Sequence, residues 1–365
     1  GYAESFTKAL RTYSVGPSPT MIAAQDLTGD GYPEIITSDR GSMTDPNDER
    51  PANDELSYLV SQGKLDYLRE PPLRVGFAPY ALCIANVDEL KALDIVAASF
   101  LATRNWDLTL FRNLGDNLFE PHHFGVPDDE LGYAKMRDGE NLPVFTTPGL
   151  TSLVIQDINS DGLRDALATG WSSDVIVYFP GDREAYFGEA RITQAPGGPR
   201  DLRTGDFDED GDTDLAVALY SAGAIALWSG DKQGGFERVE QFSSRGRLPH
   251  KIRVADFDGD KHQDLAISHC YADDSVVLFF GNGVFSFPMS QEICLGKKRD
   301  TIECEIRDLV VDDLDGDGRM DLAVACFESR QVVVLINTSE PGEFPLRFRT
   351  ERYDFPEGQP RALCV

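Results

Sequence analysis

The chain has 365 residues, 41% of them hydrophobic and 26% charged, with 62 acidic against 34 basic residues and a formal net charge of −28. This supplies a real core, and no run of about eighteen or more apolar residues offers a membrane-spanning helix. The acidic excess repels phosphate backbones and anionic surfaces, which excludes nucleic acid as a partner and argues against membrane insertion.

Taken in chain order, one aspartate-rich segment recurs: DLTGDGYPE from Asp26, NVDELKALD from Asn86, DINSDGLRD from Asp157, DFDEDGDTD from Asp206, DFDGDKHQD from Asp256 and DLDGDGRMD from Asp313. Each follows a short apolar stretch such as TMIAAQ, TSLVIQ or HKIRVA and precedes a second such as EIITS, DALATG or DLAISH. A third apolar run comes next (DVIVYF, AIALWS, SVVLFF, QVVVLI), then a glycine-rich turn and a more polar segment. Short β-branched strands between turn signals predict an all-β fold. Four strands per repeat, at a period of about 50 to 70 residues, predict the blades of a β-propeller forming one domain over residues 1–365.

The C-terminal FRTERYDFPEGQPRALCV matches the N-terminal SFTKALRTYSVGPSPTMIAA in pattern. The reading is therefore a seven-bladed ring. Pro360 to Val365 begin the seventh blade, residues 5 to 15 supply its outermost strand, and a further aspartate loop is expected past Val365. Insertions are read at about 41–74 and 120–149, with a short helix around Asn53 to Gln62. Cys294 and Cys304 flank the loop LGKKRDTIE and could close a local disulfide, whereas Cys83 and Cys364 read as small apolar residues. Asn337-Thr338-Ser339 is a glycosylation sequon.

Hard divalent cations take oxygen ligands, and carboxylates at alternating positions of a loop can turn inward together while glycine at position six permits a left-handed turn. Calcium is thus expected at four to five loops. Blade one offers Asp26, Thr28, Asp30 and Glu34, and blade three Asp157, Asn159, Asp161 and Asp165. Blade four offers Asp206, Asp208, Asp210 and Asp214, blade five Asp256, Asp258, Asp260 and Asp264, and blade six Asp313, Asp315, Asp317 and Asp321. Asp212, His262 and Arg319 stand at position seven, where the backbone carbonyl would contribute. In blade two Leu90 takes position five and Lys91 position six, leaving only Asn86, Asp88 and Asp94 around a metal-free turn. Without metal, each loop would still be a turn rich in Asp and Gly.

These repeats resemble the FG-GAP and VCBS repeats of integrin α-subunit propellers, of a fungal lectin and of many bacterial secreted proteins, with GFAP at Gly76 to Pro79 echoing the signature. The resemblance implies a seven-bladed ring with structural calcium on one face, and ligand contacts on the other. The candidates there are Arg104, Asn105, Trp106, Trp171, Tyr220, Tyr271 and Phe327, with inter-blade packing as the alternative role. A second set lies six residues before the loops or nearly so: Tyr80, Arg200, His250, Arg307 and Arg361. These either hold an anion or pair with Asp201 and Asp308. His122 and His123 lack a third ligand and read as a surface pair.

No nucleophile, zinc or nucleotide motif appears. The reading is a calcium-stabilised, non-catalytic recognition module for glycans or protein partners, placed outside the cell, on its surface or in the periplasm. The alternatives are a carbohydrate lyase or dehydratase with its pocket at the channel mouth, and an architectural subunit of a larger assembly.

Overall fold

The computed structural model describes residues 11–41, 53–63, 65–88, 90–101, 106–127, 147–270, 274–296 and 304–365. Every regular element among them is a strand. Two compact units contain them: Tyr13–Pro199 holds blades one to three, and Arg200–Val365 holds blades four to six. Blade four shows the plan. Pro199–Gly205, Asp214–Leu219, Ala224–Gly230 and Phe236–Ser243 form an antiparallel meander in sequence order. Blades five and six repeat it, starting at Pro249 and Ile306, as do blades two and three, starting at Pro79 and Leu150. Blade one starts at Pro19 and carries an extra short strand, Leu73–Arg74, against its third.

The sequence pattern explains the layering. The second strands, DIVAAS, DALATG, DLAVAL, DLAISH and DLAVAC, are buried along their whole length. Blades of the same unit pack against them, and both alternating sets of side chains are apolar or small. The fourth strands lie at the rim. Phe236–Ser243 is exposed or half-buried throughout. Side chains from adjacent blades interleave into shared cores. Phe207, Ala216, Ile225 and Leu227 of blade four meet Ile252, Leu265, Ile267 and Phe279 of blade five.

Several expectations are corrected. The described residues form six four-stranded blades, not seven. Pro360–Val365 is not a strand, and residues 11–15 are irregular; the first ten residues lie outside the description. A segment becomes a strand only when a neighbour exchanges backbone hydrogen bonds with it. Leu363 is instead fastened by its N–H to Asp308 Oδ2 (2.9 Å) and packs beside Val310 and Ala323. Most of the segment read as the first insertion is regular. Glu55–Ser61 and Tyr67–Arg69 are the third and fourth strands of blade one, and no helix occupies 53–62. Leu56, Tyr58 and Val60 are buried there, and long-range pairing with Ile35–Asp39 overrides the helical reading. In the second insertion, Phe119–Phe124 is the fourth strand of blade two, and 128–146 lie outside the description. The disulfide joins Cys304 to Cys326, whose Cα atoms stand 4.6 Å apart, and Cys294 takes no part in it. Pairing of Ile306 with Cys326 brings the first two strands of blade six together at that end, an adjacency that loop spacing did not reveal. The sequon residue Asn337 is fully buried, its Nδ2 donating to the Phe257 carbonyl (3.0 Å).

Candidate functional site

Each aspartate loop folds around its first residue. The position-one carboxylate accepts the position-six N–H in five loops: Gly31 to Asp26, Gly162 to Asp157, Gly211 to Asp206, Lys261 to Asp256 and Gly318 to Asp313, at 2.8–3.2 Å. That bond needs a left-handed residue. The four glycines have φ between 87° and 89°, and Lys261 adopts 80°. An added Cβ at those glycines would meet nothing within 4 Å, so backbone conformation alone selects glycine.

Three loops bring carboxylates together. Asp206, Asp208 and Asp210, then Asp256, Asp258 and Asp260, and then Asp313, Asp315 and Asp321 each place three oxygens within 4.8 Å of one another. In blade six Asp317 is drawn off by Arg319, which hydrogen-bonds it, and Asp321 completes the triad. Among the described residues the loops of blades one and three form no carboxylate triad. Thr28 stands at position three of blade one, and in blade three Asn159 Nδ2 donates to Asp161 Oδ2 (2.9 Å). In blade two Asp88 is bound by Arg112 Nε at 2.7 Å. The donor set of blades four to six suits a hard cation. Oδ1 of Asp206 and Oδ1 of Asp315 are buried without a hydrogen-bond partner, an orphaned state that a bound cation would relieve. Burial, reinforced by neighbouring carboxylates, raises Asp208 and Asp258 above the usual carboxylate range. At position seven the side chains make links of their own: His262 Nδ1 lies 2.5 Å from Glu209 Oε1, tying loop five to loop four, and Asp212 is 3.4 Å from Lys232 Nζ.

Position nine has a second job. Asp214 accepts the N–H of Phe207 (2.8 Å) on one oxygen and that of Gly230 (3.0 Å) on the other. Asp264, Asp321, Asp165 and Asp94 repeat this double acceptance, and Glu34 does so with Leu27 and Ser61. The group therefore staples loop, second strand and third strand, even in blade two, where the inner ligands are lost. Burial, opposed by these N–H groups, pushes Asp214 up to about 6 and Asp264 up to about 7.

The other end of the first strands lies about 20 Å away, six residues at strand rise. There the register slips by one residue in five blades, leaving Thr20, Tyr80, Thr151, His250 and Arg307 as the bulged positions. A bulge frees a side chain from the ladder and re-aims it, and bulges gather beside functional sites. Of the set singled out by register, Tyr80, His250 and Arg307 thus share a backbone feature that alternation alone could not reveal.

In the first unit Tyr80 and Trp171 flank Phe100, with centroids 6.1 and 5.9 Å from it. Trp106 stands apart from them, stacked on His123 at 3.7 Å. In the second unit Arg200 lies over Tyr220 (6.0 Å), and Arg307 and Arg361 both lie over Phe327 (5.1 Å each). Asp201 and Asp308 take other basic partners. They are bridged by Arg253 (3.2 and 3.0 Å), and Arg203 also binds Asp201 (3.1 Å). Arg104, Asn105 and Tyr271 lie outside the described residues. Sequence reasoning missed a cavity of about 340 Å³ lined by Glu240, Phe242, Arg245, Phe279, Phe285 and Phe287. Its residues come from separate strands and two loops, so no local motif marks it.

The FG-GAP-like repeat family matches residues 157–217, 206–267 and 256–324, each span opening on position one of an aspartate loop. The chain carries FG-GAP repeats. Solved structures similar to this FG-GAP repeat propeller share its fold at low identity. A candidate 6-phosphogluconolactonase of Bacteroides uniformis is 16% identical, with 96% of this chain and 88% of that one covered and a TM-score of 0.61. The periplasmic gluconolactonase of Pseudomonas aeruginosa is 13% identical over 90% and 83%, with a TM-score of 0.60. A chain of the complex of BBS1N with ARL6DN is 14% identical over 88% and 80%, with a TM-score of 0.56.

Proposed function

We propose that this FG-GAP repeat protein is a calcium-stabilised, non-catalytic recognition module, working outside the cell, on its surface or in the periplasm. The observation that carries this reading is the convergence of three carboxylates in each of the loops of blades four, five and six, with buried oxygens left unbonded in blades four and six. Calcium there would neutralise like charges and lock the loop end of each blade, leaving the bulged end to meet a ligand. Extracellular calcium is millimolar, enough to fill sites of modest affinity. The Cys304–Cys326 disulfide is in keeping with an oxidising compartment. The similar chain from the BBS1N–ARL6DN complex supports a protein ligand, and the aromatic row of Tyr80, Phe100 and Trp171 suits a sugar face as well. Calorimetric titration of chelator-stripped protein should show calcium uptake at two or more sites. Binding on glycan or protein arrays should then fall on Trp171→Ala. No uptake at millimolar calcium, or arrays blank in its presence, would sink the proposal.

A second reading, a carbohydrate-active enzyme using the His250 and arginine end, is favoured by the fold shared with two lactonase-type proteins. Turnover of a sugar lactone or acidic sugar, lost in His250→Ala, would establish it in place of the first.

A further inference from the structure

Blades four and five leave a cavity of about 340 Å³ between them, lined by none of the aspartate-loop carboxylates and none of the bulged residues. Its wall is aromatic. Phe279 is buried, and Phe242, Phe285 and Phe287 are half-buried, each packed on the shared core of the two blades. The Phe242 ring lies 5.2 Å from that of Phe279 and 5.7 Å from that of Phe287, tilted by 59° and 35°. Rings at such angles offer both edges and faces, the setting in which another aromatic ring is held well. Two wall residues are left-handed: Phe285 (φ 55°) and Arg245 (φ 61°). Bulky side chains rarely adopt that region. In the turn between third and fourth strands, blades four and six place only glycine there (Gly234, Gly342), whereas blade five adds Phe285 to Gly283. The Phe285 N–H donates to the Phe207 carbonyl of blade four (3.0 Å), which fixes the ring where it stands. Backbone strain of this kind collects at ligand sites. The mouth carries both signs of charge. Glu240 shares a face of its strand with Phe242, two residues on, and Arg245 follows the strand end. Both are exposed, and neither side chain makes an ion pair or hydrogen bond with any described residue.

We infer that this cavity binds a small aromatic zwitterion, the chemistry of a free aromatic amino acid or a short aromatic peptide. The ring enters among the four phenylalanines, the ammonium meets Glu240 and the carboxylate meets Arg245. Small-molecule sites are mostly apolar hollows of about 300–1,000 Å³ with a few placed polar groups, and this volume, at the low end, limits the ligand to one ring. Burial of the ring supplies the affinity, and the two charges set its orientation.

The test is calorimetric titration of the whole protein, in calcium-containing buffer, with L-phenylalanine, L-phenylalanylglycine, phenylacetate, phenethylamine and benzyl alcohol. Saturable binding of phenylalanine or of the dipeptide at millimolar concentration is expected, tighter than that of benzyl alcohol. Arg245→Gln should weaken the carboxylate-bearing probes by about threefold or more, the scale of an exposed charge pair, and leave phenethylamine unchanged. Glu240→Gln should weaken the ammonium-bearing probes by a similar factor and leave phenylacetate unchanged. Ser286→Trp, which puts a large ring at an exposed position of the cavity wall, should abolish binding of all of them. The two charge substitutions fall on exposed side chains without partners, so they test the site in a protein that still folds. Tighter binding of phenylalanine than of the dipeptide would make the ligand a free amino acid, and the reverse a peptide; both results sustain the site. No saturable binding of either, benzyl alcohol bound as tightly as phenylalanine, or affinity unchanged in both charge variants overturns it.

Discussion

Lys261 holds a left-handed conformation (φ 80°) at the position where four sister loops use glycine. The lysine N–H still reaches Asp256, so the ligand geometry survives at the expense of local strain. Replacing it with glycine removes about 1–2 kcal/mol of backbone strain and adds about 0.5–1 kcal/mol of unfolded-state entropy. Lys261→Gly should therefore stabilise the protein by about 0.5–1 kcal/mol in urea titration, and a destabilised variant would refute the strain argument. His250 gives a pH signature at the same scale. Its folded value is depressed below the unfolded 6.5, so the stability it contributes is present above pH 6.5 and is lost as pH falls through that window. Asp214 and Asp264, raised by burial, act with the opposite sign, so the diagnostic is the difference between variants. In chloride buffers free of oxyanions, wild type should lose more stability than His250→Gln between pH 6.5 and 5. Parallel melting curves across that range would contradict a buried neutral imidazole.

At the scale of the strand and its loop, the position-nine carboxylate is both staple and candidate ligand, and blade two separates the roles. Asp94 accepts the N–H groups of Val87 and Asn113 at 2.9 Å each, while Asp88 is committed to Arg112. Leaving two buried N–H groups without an acceptor costs about 2–6 kcal/mol at about 1–3 each. Asp94→Ala should therefore destabilise by at least about 2 kcal/mol, and by the same amount with calcium or with chelator. A loss below about 1 kcal/mol in denaturant unfolding would show that the staple carries little. Asparagines add a link between blades. Nδ2 of Asn113 donates to the Leu27 carbonyl (2.8 Å) and Nδ2 of Asn337 to that of Phe257 (3.0 Å), each reaching into the loop of the preceding blade.

For the molecule as a whole, the net charge of −28 sets up a self-repulsion that bound cations would relieve. Anything that binds only the folded chain stabilises it by mass action, about 2.7 kcal/mol per site when the ligand is at a hundredfold its dissociation constant. Chelation should lower the melting temperature markedly, and magnesium, which keeps its waters and demands a tighter octahedron, should restore it only in part. The combined Asp206→Asn, Asp256→Asn and Asp313→Asn variant should lose most of the calcium-dependent rise in scanning calorimetry. An unchanged rise would place the ions elsewhere.

The repeat was legible because it is local. Alternating apolar residues, DxDxDG loops and a glycine at position six state their conformation within about ten residues, and those signals gave the four-stranded blade, though with one blade more than the six described and with blades one and three counted beside the three loops that converge. The sequence by itself also singled out Arg200, His250 and Arg307 through their common register. It did not reveal that His250 and Arg307 sit on bulges, or that Asp201 and Asp308 are bridged by Arg253. Nor did it reveal that Cys326 closes the disulfide, or that Glu55–Ser61 is a buried strand rather than part of an inserted helix. Each of these depends on which strand lies alongside, a pairing between residues about twenty to sixty positions apart that only the tertiary structure decides.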